Sequence, residues 1–342
     1  MTSLQKLATA ALGLGLLALS ACGGTQSTPA PVITPNPLYV QYTAVGASDA
    51  VGYGASVPCT TATPALGAAD PTCPEAGASG YVPDIVRGFK SAAGFTALLQ
   101  DLGISGAVIG PDIRAEGNKY NSAFGPQPCR PRTTQAIPAD FLTNELPNVN
   151  PKASFATIFA GGNDVNAIVN ALACGAGGTT VATQTAYITQ QVTNFGHDFA
   201  TLVGSVHAKA PGATIVVANI PNFANVPYAA QAPLPPTTKA QLRQALQAVS
   251  VAIDTNVINT VAPLGIPVVD LQCNPTSYDP ANFYTDGFHP NDTGYALLAQ
   301  AFLQQALSDK PVAPQASCSY QAIQEGVRQA LAVGAPVRLP TY

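Results

Sequence analysis

Charged side chains are scarce in this sequence. Only 9% of its 342 residues are Asp, Glu, Lys or Arg, and the 14 basic residues form neither a run nor a patch with aromatic neighbours. Nucleic-acid binding needs such clusters, so we expect no nucleic-acid partner. Because 47% of the residues are hydrophobic, the chain can form a large core under a surface of uncharged polar residues, glycine and proline.

Histidine is also rare, and the cysteines show no metal-binding spacing. The sequence has three histidines and neither a Cys-x-x-Cys pair nor a Cys/His cluster, so we expect no metal and no cofactor. His197 and His207 lie off the apolar stripe of a predicted long helix, where solvent contact is the simplest interpretation. His289 differs from them because it stands in a loop, three residues after Asp286 and directly before a proline.

Residues 1–21 have the pattern of a secretory signal peptide. A single lysine precedes an apolar run at 7–19, which is too short to span a bilayer permanently. The sequence Leu-Ser-Ala-Cys at 19–22 then resembles the lipobox of bacterial lipoproteins. This resemblance implies lipidation of Cys22 and a membrane anchor in the bacterial cell envelope. An ordinary signal peptide, with Cys22 incidental and the protein secreted, is the alternative.

The mature chain divides into a short tether and one domain. Residues 22–37 are rich in Pro and Thr and cannot form a core, so they predict a flexible or semi-extended tether. Residues 38–342 predict a single domain, with loop insertions near 55–80 and 111–150 that shape a substrate groove.

Six cysteines remain beyond Cys22, an even number that indicates disulfide bonds in an exported chain. We favour Cys59 with Cys73, because both stand in one loop-like segment. Among the remaining pairings, Cys129 with Cys174 and Cys273 with Cys318 are the most natural.

Short apolar runs alternate with helical patterns along this domain. Runs at 38–46, 154–162, 214–220 and 266–271 are typical of buried parallel strands, and we assign a fifth strand at 95–103, although its residues also favour a helix. Helices are predicted at 83–93, 183–210, 238–262 and 293–307. The pattern predicts an α/β fold with three layers, α/β/α, around a five-stranded parallel sheet.

Polar residues that could carry chemistry follow three of the predicted strands. Ser48 follows the first strand, Asn163 stands in Gly-Gly-Asn-Asp after the third, and Asp286 and His289 follow the fifth. Singly, each has an ordinary structural interpretation as a helix cap, a turn or a loop residue. Together, on what we predict to be three adjacent strand–helix junctions at the carboxyl edge of the sheet, they indicate an active site.

This arrangement resembles the SGNH, or GDSL, hydrolase family over most of the mature chain. Ser48 matches the nucleophile in Gly-x-Ser-x-x-x-Gly, Asn163 matches Gly-x-Asn-Asp, and Asp286 and His289 match Asp-x-x-His. Gly106 is the best match to the weaker Gly block, ahead of two other nearby glycines. Where the family has Gly-Asp-Ser, this chain has Gly-Ala-Ser, which puts the conformation of the serine turn in question but not the triad. The resemblance implies a flavodoxin-like fold.

Elementary chemistry supports the same roles. A serine hydroxyl needs a base, which a neutral His289 can be, and Asp286 can hold the required tautomer. The oxyanion donors would be the backbone N–H groups of Ser48 and Gly106 and the amide of Asn163. We therefore expect an exported esterase or lipase acting on carboxylic esters, including lipids or acylated carbohydrates. The alternatives are a carbohydrate O-acetylesterase or acyltransferase on the same fold, and a non-catalytic surface-binding lipoprotein.

Overall fold

A parallel five-stranded sheet forms the centre of the protein. The computed structural model describes residues 39–59, 77–120, 129, 137–232 and 234–323. The strands are β1 (Tyr39–Gly46), β2 (Thr96–Asp101), β3 (Phe155–Phe159), β4 (Thr214–Ala218) and β5 (Val268–Val269). Their spatial order is β2-β1-β3-β4-β5 and all neighbours are parallel, which is the flavodoxin-like order of a doubly wound sheet.

Helices cover both faces of the sheet and give the predicted three layers. They are α1 (Tyr81–Ala93), α2 (Pro111–Lys119), α3 (Gly162–Ala173), α4 (Val181–Lys209), α5 (Pro227–Gln231), α6 (Pro236–Asn256) and α7 (Asp292–Leu307). Helices α1 and α7 share one apolar cluster with side chains such as Tyr42 and Phe155 of the sheet. Helices α3, α4 and α6 share the other cluster with Val45 and Ile158. The central strands β3 and β4 are buried on both faces and are apolar along most of their length, whereas the edge strand β2 is partly exposed and ends in polar residues.

Local signals in the sequence fix several helix ends. The side chain of Thr180 accepts from the backbone N–H of Thr183 in a capping box at the start of α4. Asn291 caps α7 by accepting from the N–H of Gly294. Gly94 ends α1 in the left-handed conformation at φ 70°, so the contested segment after it is the predicted strand β2.

Several sequence-based assignments are wrong in detail. The predicted loop at 111–150 contains α2, which begins with a proline after Gly110, a π-helical turn at Phe141–Glu145 capped by Asp140, and a 3-10 turn at Leu146–Asn148. The helix predicted over 238–262 ends at Asn256 and continues as 3-10 turns. Strand β5 has only two residues, because the side chain of Asn219 accepts from the N–H of Leu271 where a ladder bond would continue.

The order of strands also corrects the expectation of three adjacent junctions. The ends of β1 and β3 are neighbours, but β4 lies between β3 and β5. The segment with Asp286 and His289 therefore reaches the serine through a long loop after β5, and not through an adjacent strand end.

Disulfide bonds link distant parts of the chain. Cys129 bonds to Cys174 and Cys273 bonds to Cys318, as predicted, and each pair is separated by 45 residues. Cys59 is also disulfide-bonded, whereas its predicted partner, Cys73, lies outside the described residues. Disulfides persist in oxidising compartments, so the bonds indicate an exported protein.

Residues 1–38, which include the predicted signal peptide, Cys22 and the tether, lie outside the described residues. Within the described ranges, no helix has the length and apolar character needed to cross a membrane.

Candidate active site

Ser48 stands in a tight turn directly after β1. The N–H of Ala50 donates to the carbonyl of Ala47 at 3.1 Å, and the N–H of Tyr53 donates to the carbonyl of Ser48 at 2.9 Å. The serine is buried, with 4% of its surface exposed. The turn thus closes by backbone hydrogen bonds, although an alanine replaces the family's aspartate at position 47.

The side chain of Glu145 supports this turn through a hydrogen bond to its backbone. The sequence analysis did not identify this residue. Its Oε2 accepts from the N–H of Gly46 at 3.0 Å, and its side chain is fully buried. Burial raises the pKa of the Glu145 carboxyl well above its ordinary value, so the neutral acid is favoured. No sequence signal pointed to Glu145, because it follows a segment that has no recognisable pattern.

A continuous chain of hydrogen bonds joins Ser48, His289 and Asp286. The Oγ of Ser48 lies 2.9 Å from Nε2 of His289, and Nδ1 of His289 lies 2.7 Å from Oδ2 of Asp286. An ionised carboxylate can only accept, so Nδ1 carries the proton. Nε2 of the neutral ring then has a lone pair for the serine O–H. The structure therefore brings together three of the residues that the sequence singled out.

The carboxylate of Asp286 is held in place by the loop that it belongs to. Its Oδ1 accepts from the N–H groups of Phe288 and His289, at 2.9 and 3.0 Å. Partial burial alone would raise the pKa of Asp286, but the bond from the His289 ring and the two backbone bonds outweigh it and lower the pKa below its ordinary value of 3.8. Asp286 is therefore ionised at neutral pH.

The His289 ring is packed as well as hydrogen-bonded. It is 8% exposed and packs against the rings of Tyr53 and Phe288, with centroid distances of 4.5 and 4.9 Å. Its carbonyl accepts from the N–H of Tyr284 at 2.8 Å, which closes the loop. His197 and His207 are exposed on α4, as expected.

Asn163 and the Gly106 loop form the next part of the site. Asn163 is the second residue of α3, and its Nδ2 donates to the carbonyl of Ala107 at 2.8 Å. Gly106 adopts φ 83°, which favours glycine, and the nearby N–H of Ile104 donates to the carbonyl of Gly46 at 3.2 Å. The loop is thus tied to the end of β1 on one side and to Asn163 on the other.

Asp164 fixes the same loop from a buried position. Its Oδ1 accepts from the N–H of Ile109 at 2.9 Å, and burial raises the pKa of its carboxyl from 3.8 to about 7. Asp164 belongs to the Gly-Gly-Asn-Asp motif, so the motif could have indicated its importance. The sequence analysis assigned a role only to Asn163.

An apolar cavity of about 90 Å³ adjoins Asn163 and the serine turn. Its wall includes Ala47, Ala107 and Asn163, and is otherwise mainly apolar. The aromatic and aliphatic side chains that line it include Phe141, Phe159, Ile220, Phe223, Leu271, Phe283 and Phe288. Five further polar residues line it: Asp49, Asn274, Thr276, Ser277 and Asn282. A mainly apolar cavity of this kind suits an apolar part of a small ligand.

The fold and this site are those expected of an α/β ester hydrolase. The profile of the GDSL-like Lipase/Acylhydrolase family matches residues 44–297, which include every site residue described above, and the chain belongs to that family. Its substrates are accordingly esters. The comparison with curated proteins finds no match.

Several solved structures are similar to this chain. An extracellular lipase from Streptomyces rimosus is 16% identical, with a TM-score of 0.43, and the match covers 75% of this chain and 94% of that chain. A lipase from a goat rumen metagenome is 15% identical, with a TM-score of 0.46 and coverages of 81% and 100%. An acetylxylan esterase from Geobacillus stearothermophilus is 15% identical, with a TM-score of 0.45 and coverages of 80% and 96%.

Proposed function

We propose that the protein is a serine esterase that hydrolyses carboxylic esters, with Ser48 as nucleophile, His289 as general base and Asp286 as the residue that orients it. The observation that carries this proposal is the continuous hydrogen-bond chain from the hydroxyl of Ser48 to the carboxylate of Asp286. A buried serine paired with a neutral, oriented imidazole is the arrangement that makes a hydroxyl nucleophilic.

The reaction proceeds in two halves. The Oγ of Ser48 attacks the ester carbonyl carbon while its proton passes to Nε2 of His289, which gives a tetrahedral oxyanion. The carbon–oxygen bond to the alcohol then breaks, and the imidazolium of His289 donates the proton to the leaving alcohol. In the second half, a water attacks the acyl-serine, with His289 again taking and returning a proton, and releases the carboxylic acid.

Three donors would stabilise the oxyanion: the N–H groups of Ser48 and Gly106 and the side-chain amide of Asn163. The bond from Asn163 to Ala107 uses one of the two amide hydrogens, so the same contact that orients the amide leaves a second N–H for the oxyanion. The left-handed φ of Gly106 sets the direction of its peptide group. Because these donors are in position before the reaction, they stabilise the transition state through the negative charge that develops on the carbonyl oxygen.

Replacing Ser48 tests the proposal directly. Ser48→Ala should lower the rate of p-nitrophenyl acetate hydrolysis by orders of magnitude and abolish labelling by a fluorophosphonate, while the melting temperature changes little. Ser56→Ala is the matched control, because Ser56 is an exposed serine in the same loop region and should retain activity and labelling. A purified Ser48→Ala protein with more than about a tenth of the wild-type rate would refute the nucleophile. An inactive wild type would support a non-catalytic binding protein.

We also propose that residues 1–21 are a signal peptide, that Cys22 is lipidated and that residues 22–37 tether the domain of residues 38–342 to a membrane of the cell envelope. The support is the apolar run at 7–19 followed by Leu-Ser-Ala-Cys. Mass spectrometry of the N-terminal peptide from membrane-extracted protein should show an acylated Cys22. An unmodified Cys22, or cleavage elsewhere, would leave a secreted enzyme without an anchor.

A further inference from the structure

Two exposed tyrosines adjoin the candidate general base. Tyr53 is 44% exposed and Tyr284 is 42% exposed, although large aromatic side chains are usually more deeply buried. Their rings pack edge to face at 6.2 Å, and the ring of Tyr53 lies 4.5 Å from that of His289. We call Tyr53 and Tyr284 the tyrosine pair.

The backbone holds both members of the pair rigidly against the site. The N–H of Tyr53 donates to the carbonyl of Ser48 at 2.9 Å, and the N–H of Tyr284 donates to the carbonyl of His289 at 2.8 Å. Gly54 allows them to meet: it adopts φ 92°, and a Cβ there would lie 2.9 Å from Cβ of Tyr284. Each tyrosine is therefore fixed to one of the two reacting residues.

The tyrosine pair lies beside His289, the residue that protonates the alcohol half of the ester in the proposed reaction. His289 must give its proton to the leaving alcohol, so the alcohol oxygen lies within hydrogen-bond distance of Nε2 in the transition state. The rest of the alcohol then extends into the space beside the His289 ring. The ring of Tyr53 borders this space, because it packs against the His289 ring. The apolar cavity is lined by Ala107 and Asn163, and also by Phe288 and Pro290 on either side of His289, but by neither tyrosine of the pair, and we assign it to the acyl chain.

The charges beside the pair are negative. Asp286 stands two residues after Tyr284, and Asp292 accepts from the N–H of Ser56 in the loop that carries Tyr53. Two carboxylates disfavour an anionic alcohol such as a phosphate-bearing one. The exposed ring surfaces favour a neutral alcohol that bears a ring, since the face of an aromatic side chain makes a larger contact with the face of a six-membered ring than with a flexible chain.

On the basis of the proposed function, we propose that the tyrosine pair is the subsite for the alcohol portion of the ester, and that it takes a neutral alcohol bearing a six-membered ring, either an aryl ring or a pyranose. The pair binds the ring that extends from the leaving oxygen, and this contact selects among esters that share one acyl group.

A set of acetate esters tests this subsite. Hexyl, cyclohexyl and phenyl acetates and an O-acetylated xylopyranoside all form the same acetyl-enzyme, so differences in kcat/KM report the alcohol alone. Each ester is compared with hexyl acetate, first in the wild type and then in Tyr284→Ala. Because intrinsic leaving-group reactivity cancels between the two proteins, a fall of about five- to tenfold in the ring-to-hexyl ratio is expected. The ester with the largest fall distinguishes an aryl alcohol from a pyranose.

Two further variants complete the design. Tyr284→Leu keeps apolar bulk without a ring and should lose the ring preference as Tyr284→Ala does. Tyr39→Ala is the matched control, because Tyr39 is 51% exposed at the start of β1, the opposite end of the strand from Ser48, and should keep the wild-type ratios. Fluorophosphonate labelling of Ser48, which releases fluoride and no alcohol, shows that each variant is folded and competent.

An unchanged ring-to-hexyl ratio in both Tyr284 variants would overturn the proposal, and so would full retention of the ring preference by Tyr284→Leu. A change in the ratio of acetate to butyrate hydrolysis for one alcohol, without a change among alcohols, would place the pair on the acyl side and would also overturn it. Those results leave Ser48 as the nucleophile, whereas loss of the Ser48 assignment would appear separately, as an active Ser48→Ala protein.

Discussion

Asn163 offers a sharp test of how the site stabilises charge. Its amide is oriented by the bond from Nδ2 to the carbonyl of Ala107 at 2.8 Å, in the first turn of α3. If the second amide N–H binds the oxyanion, Asn163→Ala removes a contact that is strongest in the transition state. We expect kcat to fall about 10²–10³-fold, or roughly 2.7–4 kcal/mol, and KM to change little.

The same substitution has a structural cost that can be bounded. Losing the bond to Ala107 costs about 1 kcal/mol, because a net hydrogen bond contributes about that much to stability. A domain that is stable by about 5–15 kcal/mol stays almost entirely folded after such a loss, and its melting temperature falls by only a few degrees. Unfolding therefore cannot produce a hundredfold fall in kcat at 25 °C.

Kinetics and thermal unfolding of Asn163→Ala, measured together, decide between the two roles. Asn166→Ala is the matched control: Asn166 is buried in the same helix, about one turn later, and its loss should affect stability without lowering kcat. Asn163→Asp has the same shape but cannot donate as a carboxylate, and should be at least as impaired as the alanine variant. A kcat of Asn163→Ala within threefold of the wild type, or a loss that follows unfolding, would refute the oxyanion role.

Two other substitutions test the surroundings of the site. Asp164→Asn should remove a pH dependence of the free energy of unfolding. Burial raises the pKa of this acid to about 7 in the fold, whereas its pKa in the unfolded chain is near 4. The wild type should therefore lose stability as the pH rises from about 4 to about 7, by at most about 4 kcal/mol. Urea unfolding from pH 4 to 8 should show a smaller decline in the variant, and parallel curves would contradict this origin. Gly162→Ala should narrow the apolar cavity, because the added Cβ would lie 3.4 Å from the Phe223 ring, an ordinary contact distance. With p-nitrophenyl esters of graded acyl length, the preference should shift about tenfold toward shorter acyl chains. Gly204→Ala, in open space on α4, is its control, and an unchanged chain-length profile in Gly162→Ala would exclude the cavity as the acyl site.

Local sequence patterns were enough to predict the class of fold. Strands buried on both faces, such as β3 and β4, are continuous apolar runs, and the helices show a clear apolar stripe, so most elements could be recognised without tertiary information. The edge strand β2 was the exception, because its residues also favour a helix. Residues that end or begin elements, such as Gly94 and Asn291, bond to their own neighbours in the chain, so these ends depend on local sequence. Segment 111–150 was not readable, because its short turns depend on contacts such as the cap from Asp140 rather than on a periodic pattern.

The sequence by itself also determined which residues could take part in chemistry. Ser48, Asn163, Asp286 and His289 were identifiable because each is a reactive or polar type at the end of a predicted strand or in the loop beyond it. The spacing of Asp286 and His289 places them within one loop, and their contact follows from that proximity. The approach of His289 to Ser48 joins residues 241 positions apart, and only the folded sheet brings them to 2.9 Å.

Tertiary structure alone decided how the site is supported and what surrounds it. Glu145 acquires its bond to the backbone of Gly46, and its raised pKa, only because the turn that carries it is buried under the serine loop. The exposure of Tyr53 and Tyr284 beside His289 likewise has no local signature, since an aromatic residue in a loop can be buried or exposed. Burial and long-range contact are properties of the packed chain, and a pattern read along the sequence carries neither of them.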